Sequence, residues 1–330
     1  MSKTANRQRI VIIGGGVAGC HLAFELSKFP AEVTLIEQGR IGRQGASSLP
    51  VALINPYRGR SGRASELDLA GLASFWRVAE ELRQHGYEPG TTRSGVLRIA
   101  SNRRQANSWQ KLSGVRWLES QEVPAIYNAP YGGFMVEQGG WVMPNRLLGA
   151  LVAAARQRGV RILENCRAGQ LETHTGTYRI ANSCESLEAD LVVFCVGADD
   201  HPSLAPLGVE RVAGDMIGLS SKALLPLPIA GAVYGASRGE QTFVGGNHRP
   251  IHQEDPSAPE KLRNALGWFA PHLKRAPQTN RWTGVRARQA DRTPLLEQLG
   301  PGLWVFGALA GRGFLCSAHL SRQLAGKLLV

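Results

Sequence analysis

An α/β fold, with a nucleotide-binding parallel sheet and a second, β-rich unit inserted into it, is predicted by three observations in the 330-residue sequence. The first is the opening Arg9-Ile10-Val11-Ile12-Ile13-Gly14-Gly15-Gly16-Val17-Ala18-Gly19, an apolar run that passes into G-x-G-x-x-G. The second is Glu37, which closes another apolar run, Glu32-Val33-Thr34-Leu35-Ile36, eighteen residues beyond Gly19. The third is a change of texture. Short β-like runs with polar loops occupy 90–137 and recur over 211–247, whereas the ends of the chain alternate strand-like and helix-like periods.

Each residue of the opening has a physical task. Ile10 to Ile13 form a continuous apolar run, as a strand buried on both faces requires. Gly14 allows a tight strand-to-helix turn, Gly16 lets the backbone approach a pyrophosphate, and Gly19 lets the helix lie close to the sheet. Val17, Ala18, Cys20, Leu22, Ala23 and Leu26 continue at helical spacing, so free N–H groups and a partial positive charge face the phosphates. Glu37 is placed to accept from a ribose, and its charge repels a ribose 2′-phosphate, which argues against NADP. The motif alone is compatible with NAD and with FAD.

After Glu37 and Gln38 the chain enters a long loop of small and hydroxyl residues, including Gly45, Ala46, Ser47 and Ser48, suited to lining a flat ligand closely. Residues 64–84 predict an amphipathic helix with Leu67, Leu69, Leu72, Phe75, Trp76, Ala79 and Leu82 on its apolar stripe. Gly139-Gly140-Trp141-Val142-Met143-Pro144 leads into a helix from Asn145 to Gln157, and Arg161 to Glu164 reads as another parallel strand. A hairpin turning near Thr175-Gly176 precedes the strand Ala189 to Val196, which ends at Gly197-Ala198. A short helix is expected from Pro259 to Phe269. Leu303 to Phe306 is a strand leading through Gly311-Arg312-Gly313-Phe314-Leu315 into a last helix.

Composition narrows the class. Hydrophobic content of 43% supports a sizeable core, and 39 glycines with 18 prolines argue against a helical bundle. Five scattered cysteines form no C-x-x-C pair, so buried free thiols in a reducing compartment are expected rather than disulfides or a metal site. No signal-peptide core or membrane-length apolar run occurs, and the expected location is cytoplasmic. Net charge is +12, and residues 40–104 hold eleven arginines against five acids. Such a field attracts anionic substrates or phosphate backbones; the alternative is an arginine-rich solvated surface.

The strand–G-x-G-x-x-G–helix–strand–Glu37 start, followed by Gly45-Ala46-Ser47-Ser48, resembles the D-amino-acid oxidase and glycine oxidase superfamily of FAD enzymes. The resemblance continues in Gly284-Val285-Arg286…Asp291-Arg292-Thr293-Pro294 and in the closing glycine–arginine helix start. The Gly-Gly-Trp-x-x-Pro and Arg-Gly-Phe-Leu-Cys-Ser-Ala segments are most similar to the FAD domain of the bacterial bifunctional enzymes that make 5-methylaminomethyl-2-thiouridine in tRNA. Trp141 is equally a packing residue.

The resemblance implies a Rossmann-like, glutathione-reductase-type FAD domain (1–84, 138–204 and 282–330) with a discontinuous β-rich α+β substrate domain (85–137 and 205–281). It implies FAD held by Gly14, Gly16, Val17, Ala18, Gly19, Glu37, Gln38, Gly45, Ala46, Ser47, Ser48, Cys195, Gly197, Gly311, Arg312, Gly313, Phe314 and Leu315. It further implies a catalytic set of Arg286, Arg312, Tyr234 and His248, with Arg286 gripping a substrate carboxylate. Surface salt bridging is the alternative for the two arginines. The implied chemistry is oxidation of a C–N bond in an amino acid or N-substituted glycine by hydride transfer to flavin N5. Two other readings are a tRNA enzyme removing the carboxymethyl group of a wobble uridine, with tRNA as partner, and a flavin-binding protein without turnover.

Overall fold

The computed structural model describes residues 7–174, 176–199 and 201–329, so the Thr175 half of the expected hairpin turn lies outside the described residues. A six-stranded sheet runs in the order Leu295–Gly300, Leu303–Gly307, Leu191–Phe194, Arg9–Ile13, Glu32–Ile36, Arg161–Leu163. Its pairings are parallel except that of the Leu295–Gly300 edge, which is antiparallel.

The apolar opening strand is central and buried on both faces, as its unbroken hydrophobicity requires. Ile10 and Ile12 face a core shared with the helices Val17–Leu26, Glu66–Gln84, Pro144–Gln157 and Gly313–Leu328. Val11 and Ile13 face the opposite side, under a three-stranded sheet of Ala168–His174, Thr177–Asn182 and Ser186–Ala189. Burial of each such side chain contributes about 2 kcal/mol.

The helix Glu66–Gln84 opens with a capping box in which Ser65 Oγ accepts from the Asp68 N–H and Asp68 accepts from the Ser65 N–H. Of the stripe expected on it, Leu72, Phe75, Trp76, Ala79 and Leu82 are buried, whereas Leu69 is 46% exposed. The buried stripe instead continues through Asp68 and Gly71, because Gly71 lies against Leu315 and Cys316 of the last helix. A Cβ on Gly71 would stand 2.7 Å from the Leu315 carbonyl oxygen.

The second large sheet has nine strands drawn from two distant stretches of chain. Val96–Ile99 and Gly133–Val136 pair antiparallel in the first stretch. Glu210–Ser220, Tyr234–Arg238, Gln241–Gly245 and Gln278–Arg288 come from the second. The stretches join where Ile229–Ala230 runs parallel to Leu97–Arg98. Gln278–Arg288 pairs with Glu210–Ser220 along its whole length, so this strand spans the boundary that the sequence suggests at residue 282. The helix Ala258–Phe269 covers one face. A small sheet of Ala52–Ile54, Gly140–Val142 and Thr91–Thr92 completes the sheets. Trp141 packs there against a cluster containing Val51, Met216 and Phe243, a packing role. One short helix, Arg103–Trp109, capped by Asn102, interrupts a region whose sequence reads as β-rich.

Four cysteines are buried and Cys184 is exposed; none is disulfide-bonded. No described helix is long and apolar enough to cross a membrane.

Candidate active site

The turn after the first strand is shaped by what a side chain would strike. Gly14 has φ +112°, and a Cβ there would sit 2.5 Å from the Cys195 carbonyl oxygen. A Cβ on Gly19 would fall 1.9 Å from the Gly14 carbonyl oxygen, so helix and turn touch only because both residues are glycine. Gly16 stands in extended conformation just before the helix Val17–Leu26. The Val17 N–H donates to Ser47 Oγ at 3.1 Å, which ties the small-residue loop to the helix start. Glu37 accepts from the Gly15 N–H at 2.7 Å and the Gly39 N–H at 3.0 Å. Each carboxylate oxygen keeps a second lone pair for a ligand.

The last helix arrives at the same place. A Cβ on Gly313 would stand 3.0 Å from Val17 Cγ1, so the starts of the first and last helices are in contact, and their positive ends converge. The approach to the last helix holds Ala308 and Ala310 at φ 52° and 51°, conformations that favour glycine. Arg292, at φ 65°, is a third such residue on the same wall, and strained backbone of this kind clusters at functional sites.

A cavity of about 1980 Å³ is lined from both large sheets. This is roughly twice the upper end of about 1,000 Å³ usual for a small-molecule pocket, room for a dinucleotide and a substrate together. Its walls include Gly14, Gly16, Val17, Ala18, Glu37, Gln38, Gly45, Ala46, Ser47, Ser48, Cys195, Gly197 and the run Gly311 to Leu315. Arg286, Tyr234 and His248 line it too. Gly19 does not; its role is the close packing just described. Burial raises the Cys195 thiol, leaving it an uncharged wall residue.

Arg286 extends from the strand Gln278–Arg288 across Gly214 of the neighbouring strand. A Cβ on Gly214 would stand 2.1 Å from its Nη2, which itself donates to the Asn247 carbonyl at 3.1 Å. Asn247 is in turn clamped by Asp215: its Nδ2 donates to Asp215 Oδ2 at 2.7 Å, and its Oδ1 accepts from the Asp215 N–H at 2.6 Å. Asp215 is fully buried as a side chain and also receives Arg249, Arg281 and Thr283. Burial alone would raise its pKa, but hydrogen bonds from Thr283, Asn247, Arg249 and Arg281 outweigh it and hold the group at about 2. Asp215 is thus a fixed anion that orients Arg286 through Asn247.

Tyr234 lies with its phenol over Gly245, where a Cβ would be 2.7 Å from the hydroxyl. Burial raises its pKa, partly offset by Arg286, so it is a protonated donor at neutral pH. His248 is pushed down by burial and by Arg286, and also by Arg288 and Arg292, so it is neutral. In the G-x-R…D-x-x-P element, Asp291 accepts from the Thr293 N–H and hydroxyl and shapes the turn.

Sequence reasoning missed Gly214, Asp215 and Asn247, whose convergence no local pattern announces. It also missed Arg58 and Arg98, for which signals existed: the run Arg58-Gly59-Arg60-Ser61-Gly62-Arg63, and an arginine embedded in Val96-Leu97-Arg98-Ile99. Ten arginines and four carboxylates line the cavity among the described residues.

A parallel sheet with a glycine turn at its carboxyl edge, two helix N-termini meeting over it, and a second sheet closing the cavity define a dinucleotide-dependent oxidoreductase fold. Over residues 9–326 the sequence matches the DAO family, described as FAD dependent oxidoreductase. The chain belongs to that family.

Among relatives, it is 26% identical over 325 residues to the tRNA 5-methylaminomethyl-2-thiouridine biosynthesis bifunctional protein of Maricaulis maris, covering 97% of this chain and 52% of that protein. The chain therefore spans about half the length of the bifunctional relatives it matches. It is 24% identical to the glycine oxidase of Geobacillus kaustophilus, covering 88% of this chain and 84% of that one. The fold matches glycine oxidase from Bacillus cereus with TM-score 0.86 and 22% identity, over 98% of this chain and 95% of that chain. It also matches iminodiacetate oxidase from Chelativorans sp. BNC1 with TM-score 0.80 and 21% identity, over 96% and 94%. The family cofactor, FAD, fits the chain's own geometry: a side-chain-free turn, two helix N-termini and a cavity of sufficient volume.

Proposed function

We propose that this chain oxidises the C–N bond of an amino acid or N-substituted glycine. The observation that carries the reading is Arg286, a guanidinium set over Gly214 by the Asn247–Asp215 clamp and facing the same cavity as the glycine turn. In this reading Gly14, Gly16, Val17 and Ala18 hold the pyrophosphate of FAD and Glu37 the ribose. Gln38, Gly45, Ala46, Ser47, Ser48, Cys195 and Gly197 line its length. Gly311, Arg312, Gly313, Phe314 and Leu315 present the last helix start to the ring.

FAD supplies a two-electron acceptor for the substrate C–H bond. Arg286 takes the substrate carboxylate through a charge-assisted bidentate pair, with Tyr234 donating its hydroxyl to the same group. Neutral His248 receives no charge from the substrate and keeps the arginines' field for the carboxylate. Arg312 lies beside the last helix start, where positive potential favours negative charge developing on the ring. The substrate amine enters as the free base, so the chain needs no dedicated base, and water hydrolyses the resulting imine.

The test is anaerobic mixing of the FAD-loaded protein with glycine, sarcosine, proline and D-amino acids, followed by visible absorbance. At least one substrate bleaches the flavin, and Arg286→Ala lowers its kcat/KM by about 100-fold or more, the cost of losing a charged carboxylate partner. Bleaching that is unaltered in Arg286→Ala removes Arg286 from the site.

A second reading is removal of a carboxymethyl group from a tRNA wobble uridine, an N-substituted glycine by chemistry. The net charge of +12 and the named function of the bifunctional relatives favour it. It requires tRNA binding that weakens steeply with salt, and a gel shift without salt-sensitive binding rejects it.

A further inference from the structure

The loop Tyr57 to Gly62 is pinned to the substrate-side sheet by its carbonyls and by the Tyr57 ring, which packs edge-on against Phe134, while its arginines line the cavity. Arg98 donates from Nη1 to the Tyr57 carbonyl and from Nη2 to the Gly59 carbonyl at 2.8 Å. Trp109 Nε1 donates to the Arg60 carbonyl at 3.1 Å, and Gln105 Nε2 to the same oxygen at 3.2 Å. Gly62 has φ +66°, and a Cβ there would stand 2.6 Å from Trp109 Nε1. Arg58, Arg60 and Arg63 line the cavity from this loop, and Arg98 from the strand beneath.

Arg98 is only 2% exposed and stacks on Trp109, with its guanidinium carbon 4.6 Å from the ring centroid. Its Nε has no hydrogen-bond partner among the described residues, and no described carboxylate pairs with it. Burial and the repulsion of Arg58 bring its pKa down to about 10. The guanidinium stays charged at neutral pH without a counterion among the described residues.

Arg58 Nε is likewise without a hydrogen bond, since Asp68 Oδ1 is 3.7 Å away, beyond hydrogen-bonding reach. Arg58 also feels Arg312 and Arg292. Among the described residues, Asp68, whose Oδ2 is already taken by Ser65, is the carboxylate set against Arg58 and Arg98, while exposed Asp291 acts on Arg312. Buried charge left uncompensated is costly, and the site is completed by an anion.

We infer that Arg58 and Arg98 form a second anion subsite, so that the preferred substrate carries two anionic groups, one held at Arg286 and the other here. The inference rests on the N-substituted glycine reading and deepens it: the nitrogen substituent of the substrate ends in a carboxylate or a phosphate. The phosphates of FAD are assigned to the glycine turn, and this positive group is left for the substrate.

The experiment needs no turnover. FAD-loaded protein is titrated with non-reacting dicarboxylates (malonate, succinate, glutarate, adipate), with monocarboxylates of matched chain length, and with 3-phosphonopropionate. Affinity is read from perturbation of the flavin absorbance. At least one dianion binds ten-fold or more tighter than its matched monocarboxylate, and a tighter phosphonate than dicarboxylate names phosphate as the second group. Arg58→Gln, at a partly exposed position, and Arg98→Met, at equal length, each bring that ratio close to one, while Arg286→Ala weakens both ligand series.

Flavin content and thermal melting establish that each variant is folded, and Arg58→Gln carries the test if Arg98→Met does not fold. Equal affinities for mono- and dianions in the parent protein overturn the subsite, as does a ratio that persists in Arg58→Gln. So does a variant whose only loss is salt-sensitive RNA binding. Dianion selectivity without bleaching by any amino acid or N-substituted glycine leaves the subsite standing and rejects the C–N oxidation reading.

Discussion

The two ends of the cavity are built by opposite means. At the glycine turn, the proposed recognition is made of backbone: the Gly14 N–H folds the turn onto the Ile36 carbonyl at 2.8 Å, Gly16 offers backbone without a side chain, and Glu37 and Ser47 tie down Gly15 and Val17. At the other end the proposed recognition is made of long side chains, Arg58, Arg98 and Arg286, which line the cavity from strands and loops far apart in the chain. Their positions depend on supports such as Gly214, Asn247 and the Tyr57 carbonyl. A backbone site tolerates no added atom. A side-chain site fails by degrees as its supports are removed.

Substitution separates the two ends most sharply at the turn. Gly14→Ala and Gly19→Ala place a methyl group inside backbone atoms at both positions. Each is expected to yield colourless protein destabilised by more than about 3 kcal/mol, as measured by flavin absorbance and denaturant melting. A yellow, stable Gly19→Ala protein breaks the contrast.

Gly214→Ala is the counterpart at the other end. Its methyl displaces the Arg286 guanidinium without touching the glycine turn, so flavin content holds. On a carboxylate substrate, kcat/KM falls by about 100-fold, the scale of a misplacement near 1 Å. Loss of flavin together with activity would show that the ends are not independent.

Asp215 sharpens the comparison through pH. Its folded pKa of about 2 lies below the usual carboxylate value, so its contribution is complete above pH ~4 and is lost as pH falls toward 2. The shift corresponds to about 2 kcal/mol at this fully buried side chain. Denaturant melts between pH 5 and pH 2 read it. The acid-side slope is shallower in Asp215→Asn, which is also less stable at neutral pH because Arg249 and Arg281 then lack their partner.

The smallest effect is at the strained alanines. Ala310→Gly is nearly neutral, within about 0.5 kcal/mol, because relief of a positive φ offsets the entropy of glycine. Ala153→Gly, inside the helix Pro144–Gln157, has no strain to relieve and costs about 1 kcal/mol. Equal losses at both positions would show that Ala310 stores no strain.

The legibility of the molecule follows the same division. The first strand, its turn and helix, the Glu37 strand and the strands at 161–163 and 191–194 were all readable, because backbone geometry is written in neighbouring residues. The apolar stripe of Glu66–Gln84 was readable too, apart from Leu69, because periodicity does not say where the partner helix stops. Arg286 was found through a motif, but the means of holding it was not. Asp215 meets Asn247 across 32 positions and Arg281 across 66. Arg98 reads locally as one charge in an apolar strand, and only the fold reveals that the loop at 57–60 wraps it.

By itself, the sequence determined the dinucleotide cradle and the α/β class, since those rest on short-range sterics: which residues can adopt a left-handed turn, and which can pack backbone on backbone. Tertiary structure alone decided that Gly313 would touch Val17, that the two β-rich stretches expected in one domain would join through Ile229–Ala230 and Leu97–Arg98, and that Arg58 and Arg98 would share Asp68 as their described carboxylate. Those outcomes depend on contacts between residues remote in the chain, and an electrostatic deficit exists only once its members have been brought together and removed from water.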